Sequence, residues 1–322
     1  MADKEGNIES VTILRGIAAV GVFIVHFYIG NQVVYSPPVA RLFFMGQLGV
    51  TIFFVLSGFI LPYSLYKKNY TFPDFPRFLL KRSIRIDPPY WAAIILLFVF
   101  KILPLRVLSF KGIVLHVTYF VPFFKSQPWF SSIFWTLSIE FQYYVMLGLL
   151  FPLLMKMKPM LSLAVVLIVS AACVFIQLDT REFIFASLYN FAVGYIVFLY
   201  FTAKISLRQA IVIVLVFCGF LGMKISITTG AVPAITALFI LLYKAKSPKV
   251  LLFFGEISYS LYLTHIIFSY LCLHFIKTYV NNAFVLGITT LVVSVVAAYV
   301  FNLLIEKPAL KFSKKIRLGG KP

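Results

Sequence analysis

The sequence predicts an all-α fold, a polytopic membrane bundle of about ten transmembrane helices with both termini cytoplasmic. Three observations carry this. Of 322 residues, 61% are hydrophobic and 12% charged, with mean hydropathy +0.98, and a soluble domain carries about twice that share of charge. The apolar residues gather into long stretches at 11–30, 43–66, 88–105, 132–154, 160–178, 183–201, 208–225, 230–244, 251–276 and 282–306. Lysine and arginine alternate in density between the connecting segments. An even number of spans returns both ends to one side. With the N-terminus cytoplasmic, inner segments hold 20 Lys and Arg and outer segments 7, with Arg15 and Lys101 inside spans. That is the positive-inside pattern.

The first span follows an acidic head (Asp3, Glu5, Glu9) and carries Arg15 and His26, so it reads as an ordinary span and not as a cleaved signal. The third and eighth stretches are shorter than the ~20 residues a spanning helix needs. The inner loop before the third span alternates apolar and basic residues over 75–86, the pattern of an amphipathic piece lying on the membrane surface. The outer loop at 105–131 holds His116, Trp129 and further aromatics and is long enough to cover a cavity; His116 and His274 have no sequence context that gives them a role. The expectation is one domain over 1–322 in a cell (inner) membrane. The net charge of +19 then serves orientation and anionic-lipid contact, with no nucleic-acid partner. Cys173, Cys218 and Cys272 each sit in an apolar stretch at no metal-ligand spacing, so no metal is expected.

Ionisable residues inside spans are costly and are by default candidates for function. Arg15 and His26 share the first span, eleven positions and about 16 Å apart along a helix. Arg82 and Arg85 are three apart, which places two guanidiniums on one helix face as a fork for phosphate, although plain positive-inside flanking explains them equally well. Glu140 lies about nine residues into the fourth span, where a carboxyl needs a cation or a proton. Either a hydrogen-bond knot with Gln142 and Tyr143 or support of catalysis accounts for it. His265 falls at mid-depth in the ninth span, so His26, Glu140 and His265 reach comparable heights on three helices. Taken alone, His265 is more readily a satisfied interior histidine. Ser57 lies among Gly46, Gly49 and Gly58; the glycines serve helix packing and the serine is a weak candidate nucleophile. Glu306, at the inner end of the last span, is the expected ion-pair partner for Arg82 or Arg85.

In order, Arg15-Gly-Ile-Ala-Ala to His26, Phe53-Phe-Val-Leu-Ser57-Gly58-Phe59, Arg82-Ser-Ile-Arg85-Ile-Asp87-Pro88, Trp135-Thr-Leu-Ser138-Ile-Glu140 and Ser258-Tyr259-Ser-Leu-Tyr262-Leu-Thr-His265 resemble the motifs of the integral-membrane acyltransferase family 3, bacterial membrane O-acyltransferases of surface glycans. The likeness covers essentially the whole chain. It implies transfer of an acyl group, most commonly acetyl, from cytoplasmic acetyl-CoA or another acyl-CoA to a hydroxyl of a glycan or glycolipid acceptor. It also implies roles. Arg82, Arg85 and Ser57 would hold the coenzyme, and His26 would act as general base. Glu140 or His265 would orient the imidazole, and Arg15 would lie along the thioester arm or meet developing charge. Two readings stay open beside it: a glycan or glycolipid transporter or flippase, and an inactive assembly partner. The acceptor, the acyl group and the oligomeric state are not legible.

Overall fold

The structure is a computed structural model that describes residues 6–31, 37–103, 108–124, 126–175, 181–280 and 282–318. Helices account for nearly all of the regular structure: α1 (Gly6–Asn31), α2 (Pro37–Phe44), α3 (Leu48–Lys67), α4 (Phe75–Val99), α5 (Phe110–Val117), α6 (Phe134–Lys156), α7 (Pro159–Phe175), α8 (Leu188–Phe201), α9 (Leu207–Lys224), α10 (Ile227–Leu242), α11 (Lys249–Glu256), α12 (Ser258–Ile276), α13 (Ala283–Phe301) and α14 (Lys307–Lys315). No strand occurs among the described residues. Each predicted apolar stretch is represented by a helix. Segments on α1, α3, α6, α9, α12 and α13 are long and apolar enough to cross a membrane, and α7, α8 and α10 are shorter apolar helices. The protein is an all-α membrane protein. Its outward faces are what a lipid environment asks for, with large apolar side chains such as Ile168, Val216, Ile235 and Val296 exposed.

Three expectations change. The stretch 75–86 is no separate surface helix: α4 runs unbroken from Phe75 through Pro88 and Pro89 to Val99, and its first half buries Phe78 and Arg82. The ninth stretch is two helices, α11 and α12, that meet at Ile257. The tenth continues past Phe301 through a π-helical turn, Asn302–Glu306, into the basic α14. A π turn inserts one extra residue into the helical register, and here it turns the Glu306 carboxylate onto the start of α12, where it accepts hydrogen bonds from the Ser260 amide (3.1 Å) and hydroxyl (2.5 Å).

Glycine sets the closest helix crossings. A Cβ on Gly58 would run into the Phe191 carbonyl, and one on Gly194 into the Val55 carbonyl, so α3 and α8 touch backbone to backbone. The same holds for α1 against α11, where Gly255 sits on the Thr12 carbonyl. Small residues that allow this approach are the ordinary means of helix association in membranes. The crossing brings Arg15 of α1 to the head of α12, where its Nε donates to Ser258 Oγ at 3.2 Å.

Candidate active site

The N-terminal part of α1, the first two-thirds of α3, the first half of α4, the first half of α6, the start of α12 and the end of the π turn surround one cavity of about 290 Å³. Six of the residues singled out in the sequence line it: Arg15, Ser57, Arg82, Arg85, Glu140 and Glu306. That volume is near the low end for small-molecule pockets.

The cations dominate its lower end. Arg82 is buried, with its guanidinium against the rings of Phe78 (5.6 Å) and Tyr144 (5.8 Å). Its Nε finds no hydrogen-bond partner among the described residues. A buried charged donor left open is expensive, and Arg82 lines a cavity together with Arg85 and Arg15. The crowding of positive charge extends to the rim. Lys81 donates to the Ile316 carbonyl at 2.7 Å, and burial together with Lys68, Arg82 and Arg85 pushes its ammonium down to about 8. An anion seated among these groups would satisfy the open donor and relieve the repulsion, so the residues present suit a phosphate-bearing ligand.

Two carboxylates share the cavity without forming the ion pair predicted for Glu306. Glu306 is taken up by Ser260 and by Asn302 Nδ2 at 2.9 Å, while its neighbour Lys307 pairs with Glu256 at 2.8 Å. Glu140 accepts from Ser57 Oγ at 3.2 Å and interacts with Tyr144, one turn along α6. The knot of Glu140 with Gln142 and Tyr143 does not form. Gln142 turns to the segment before α8, where its Oε1 accepts from the Ile184 amide at 2.9 Å, and Tyr143 stacks on Phe191. Helical periodicity explains Gln142, since a position two apart from Glu140 does not share its face as Tyr144 does; Tyr143 is instead drawn off by its stack on Phe191.

Above the cavity stand two histidines. His265 Nε2 is 3.3 Å from His26 Nδ1, with ring centroids 5.1 Å apart. The Nδ1 of His265 faces the carbonyls of Leu261 (3.0 Å) and Tyr262 (2.8 Å), so it carries a proton and leaves Nε2 as an acceptor. His26 Nδ1 faces the Val22 carbonyl at 2.9 Å as well as His265 Nε2, so it too is the donor. The network thus assigns the tautomers: His26 Nε2 is a bare lone pair without a protein partner among the described residues. Glu140 does not join this pair. It belongs to the arginine cavity, although its height in the sequence resembled that of the histidines.

Several residues of the site had been given no role by the sequence. Tyr259, Tyr262 and Thr136, quoted only as members of motifs, line the cavity together with Tyr144, and Tyr259 ties α12 to α4 through the Ile86 carbonyl at 2.9 Å. The segment between α4 and α6 is pinned by His116, which sequence context left without a role. His116 is buried, stacks on Phe130 with centroids 3.6 Å apart, and accepts from the Phe130 amide at 2.9 Å on Nε2. Burial pushes its imidazole down to about 4. His274 lies exposed beside Tyr270. Cys218 and Cys272 are buried and Cys173 partly so, all as free thiols.

A family model described as Acyltransferase domain, that of acyltransferase family 3, matches residues 8–305. Searches of curated proteins and of solved structures gave no match.

Proposed function

The chain belongs to acyltransferase family 3 and is a membrane O-acyltransferase, and from that premise we propose that it moves an acyl group, acetyl first among them, from acyl-CoA to a hydroxyl of a surface or periplasmic glycan or glycolipid. The observation that supports this most is the stacking of two unlike sites: a cavity with Arg15, Arg82 and Arg85, and beyond it a histidine pair whose outer nitrogen is free. The proposal includes the membrane placement read from loop charge, with both termini cytoplasmic, several spans in the inner membrane and one domain throughout.

In this reading Arg82 and Arg85 hold the coenzyme phosphates as a fork, the open Arg82 Nε among the donors. Ser57 and Glu140 complete the wall, and Glu140 acts electrostatically on both Arg15 and Arg82. Arg15, fixed by Ser258, lies between the phosphate end and the histidines. His26 Nε2 takes the proton of the acceptor hydroxyl as its oxygen bonds to the thioester carbonyl carbon. The carbon–sulfur bond then breaks, and the same nitrogen returns the proton to the departing sulfur. His265 holds the His26 ring and supports its transient charge, the part of the third group in a triad.

The test is turnover by purified protein in nanodiscs. Acetyl-CoA and a candidate glycan are supplied, free thiol is read out, and an alkali-labile ester is sought on the glycan. The expected result is thiol release that requires the acceptor. If wild-type protein neither binds nor consumes the thioester with any acceptor, the transporter or assembly-partner reading replaces this one.

A further inference from the structure

The arginine cavity stops short of His26. Its upper end is formed by Val50 and Phe53 of α3, Thr136 and Leu137 of α6 and Tyr262 of α12. His265 comes three positions later on α12, and His26 eleven positions after Arg15 on α1, so both lie past that end. Between them α1 presents Ala18, Ala19 and Val22, all buried, with Val22 packed in one cluster with Leu137 and Tyr262. The closure is a specific one. The hydroxyls of Tyr262 and Thr136 are 2.5 Å apart, and both reach the Ile133 carbonyl, at 3.1 and 2.8 Å. Three contacts share two hydroxyl protons, so one of them is an approach without a proton between. The Tyr262 ring is edge-on to Phe53, with centroids 5.6 Å apart, and 6.2 Å from the ring of His265.

Resting on the donor reading above, we propose that Tyr262 is the gate between the donor cavity and His26 and, through its ring, the residue that limits the size of the acyl group. Released from Thr136, the ring opens a passage walled by Val22, Phe53 and Leu137. These walls are apolar and carry no charge, which suits a thin thioester arm. In the open position the ring still borders the passage and takes up the room a longer acyl chain needs. An apolar wall discriminates by about tenfold or more for each added methylene, so a short acyl group is favoured at the histidines.

The experiment compares kcat/KM for acetyl-, butyryl- and hexanoyl-CoA in wild type, Tyr262→Ala and Tyr262→Phe. The proposal expects wild type to prefer acetyl. Tyr262→Ala raises the butyryl-to-acetyl ratio about tenfold or more, while Tyr262→Phe, which keeps the ring, keeps the wild-type ratio. A purely structural tyrosine would lower all three donors together. An unchanged ratio in an active Tyr262→Ala, or a wild type that takes butyryl as readily as acetyl, overturns the proposal. A second measurement does not depend on turnover. Val22→Cys, in a background with Cys173, Cys218 and Cys272 replaced by alanine, is labelled with a small water-soluble thiol reagent. Labelling is expected to speed up at least tenfold when Tyr262→Ala is added, or when Thr136→Val frees the tyrosine hydroxyl at constant shape. Equal rates overturn the gate. A wild type that consumes no acyl-CoA sinks the donor reading, and the labelling comparison then still decides the gate.

Discussion

His265 Nε2 lies 3.3 Å from His26 Nδ1 across 239 positions of sequence, and this contact decides which nitrogen of His26 is basic. With the proton of His26 on Nδ1, facing Val22 and His265, the lone pair on Nε2 points away from both. We predict that His265→Ala lowers kcat about tenfold to a hundredfold, the equivalent of one lost buried hydrogen bond, with the donor KM near wild type. His265→Gln, whose amide oxygen can accept from His26, should recover part of the loss. Steady-state kinetics of the three proteins checks this.

The arginine pair predicts the opposite split. A guanidinium binds phosphate through a planar fork that an ammonium does not reproduce. Arg82→Lys should therefore raise the donor KM about tenfold, and the double alanine variant about a hundredfold or more, with kcat at saturating donor largely kept. Donor titrations at two salt concentrations test it, since the wild-type KM should rise with salt and that of the double variant should respond less.

How much of this the sequence disclosed depends on range. Each apolar stretch carried its helix, and Arg15, Glu140, His26 and His265 proved to sit at the cavity or beside it, while Lys101 and His274 lie exposed and outside its lining. Residues three and four apart were also readable: Arg82 with Arg85, and Glu140 with Tyr144, had the knot of Glu140 with Gln142 and Tyr143 been weighed against helical spacing. The meeting of His26 with His265, and the divergence of Glu140 from both, depend on how α1, α6 and α12 rotate about their axes. For α1 that rotation is fixed by backbone contacts such as Gly255 on Thr12 and Gly49 on the Ala18 carbonyl, which no local pattern contains. Glu306 shows the same limit. Its level was legible, but the π turn at Asn302–Glu306 aims it at α12 and away from Arg82 and Arg85.

His116 gives a pH dependence away from the spans. Its imidazole is held near 4 in the folded segment against an ordinary 6.5. A released imidazole takes up a proton below 6.5 that the pinned one refuses until about 4. The pin is therefore fully in force above pH 6.5 and weakens as pH falls through that window. Protonation also places a donor against the Phe130 amide, itself a donor. Hydrogen exchange at the Phe130 amide, corrected for its intrinsic rate, should accelerate from pH 7.5 to pH 5. In His116→Gln that acceleration should vanish.

Gly255→Ala tests the crossing that carries Arg15. The added methyl meets the Thr12 carbonyl and must push α1 off α11, at a cost of about 1–3 kcal/mol for an overpacked contact. The shift also removes the Arg15–Ser258 bond. A lower melting temperature in detergent is expected together with a weaker donor KM. Ser258→Ala, which removes the bond and leaves the crossing, should show the kinetic effect with little loss of stability.

The central claim is a division of labour, with the donor held by Arg82 and Arg85 and the proton moved by His26. The most direct measurement pairs binding of a non-reactive thioether analogue of acetyl-CoA with thiol release, in wild type, His26→Ala and the Arg82→Ala/Arg85→Ala double variant. The account predicts that His26→Ala binds the analogue as wild type does and loses about 10²–10⁴-fold in turnover, while the arginine variant fails at binding. Turnover that survives in His26→Ala, or undiminished binding in the arginine variant, would contradict it.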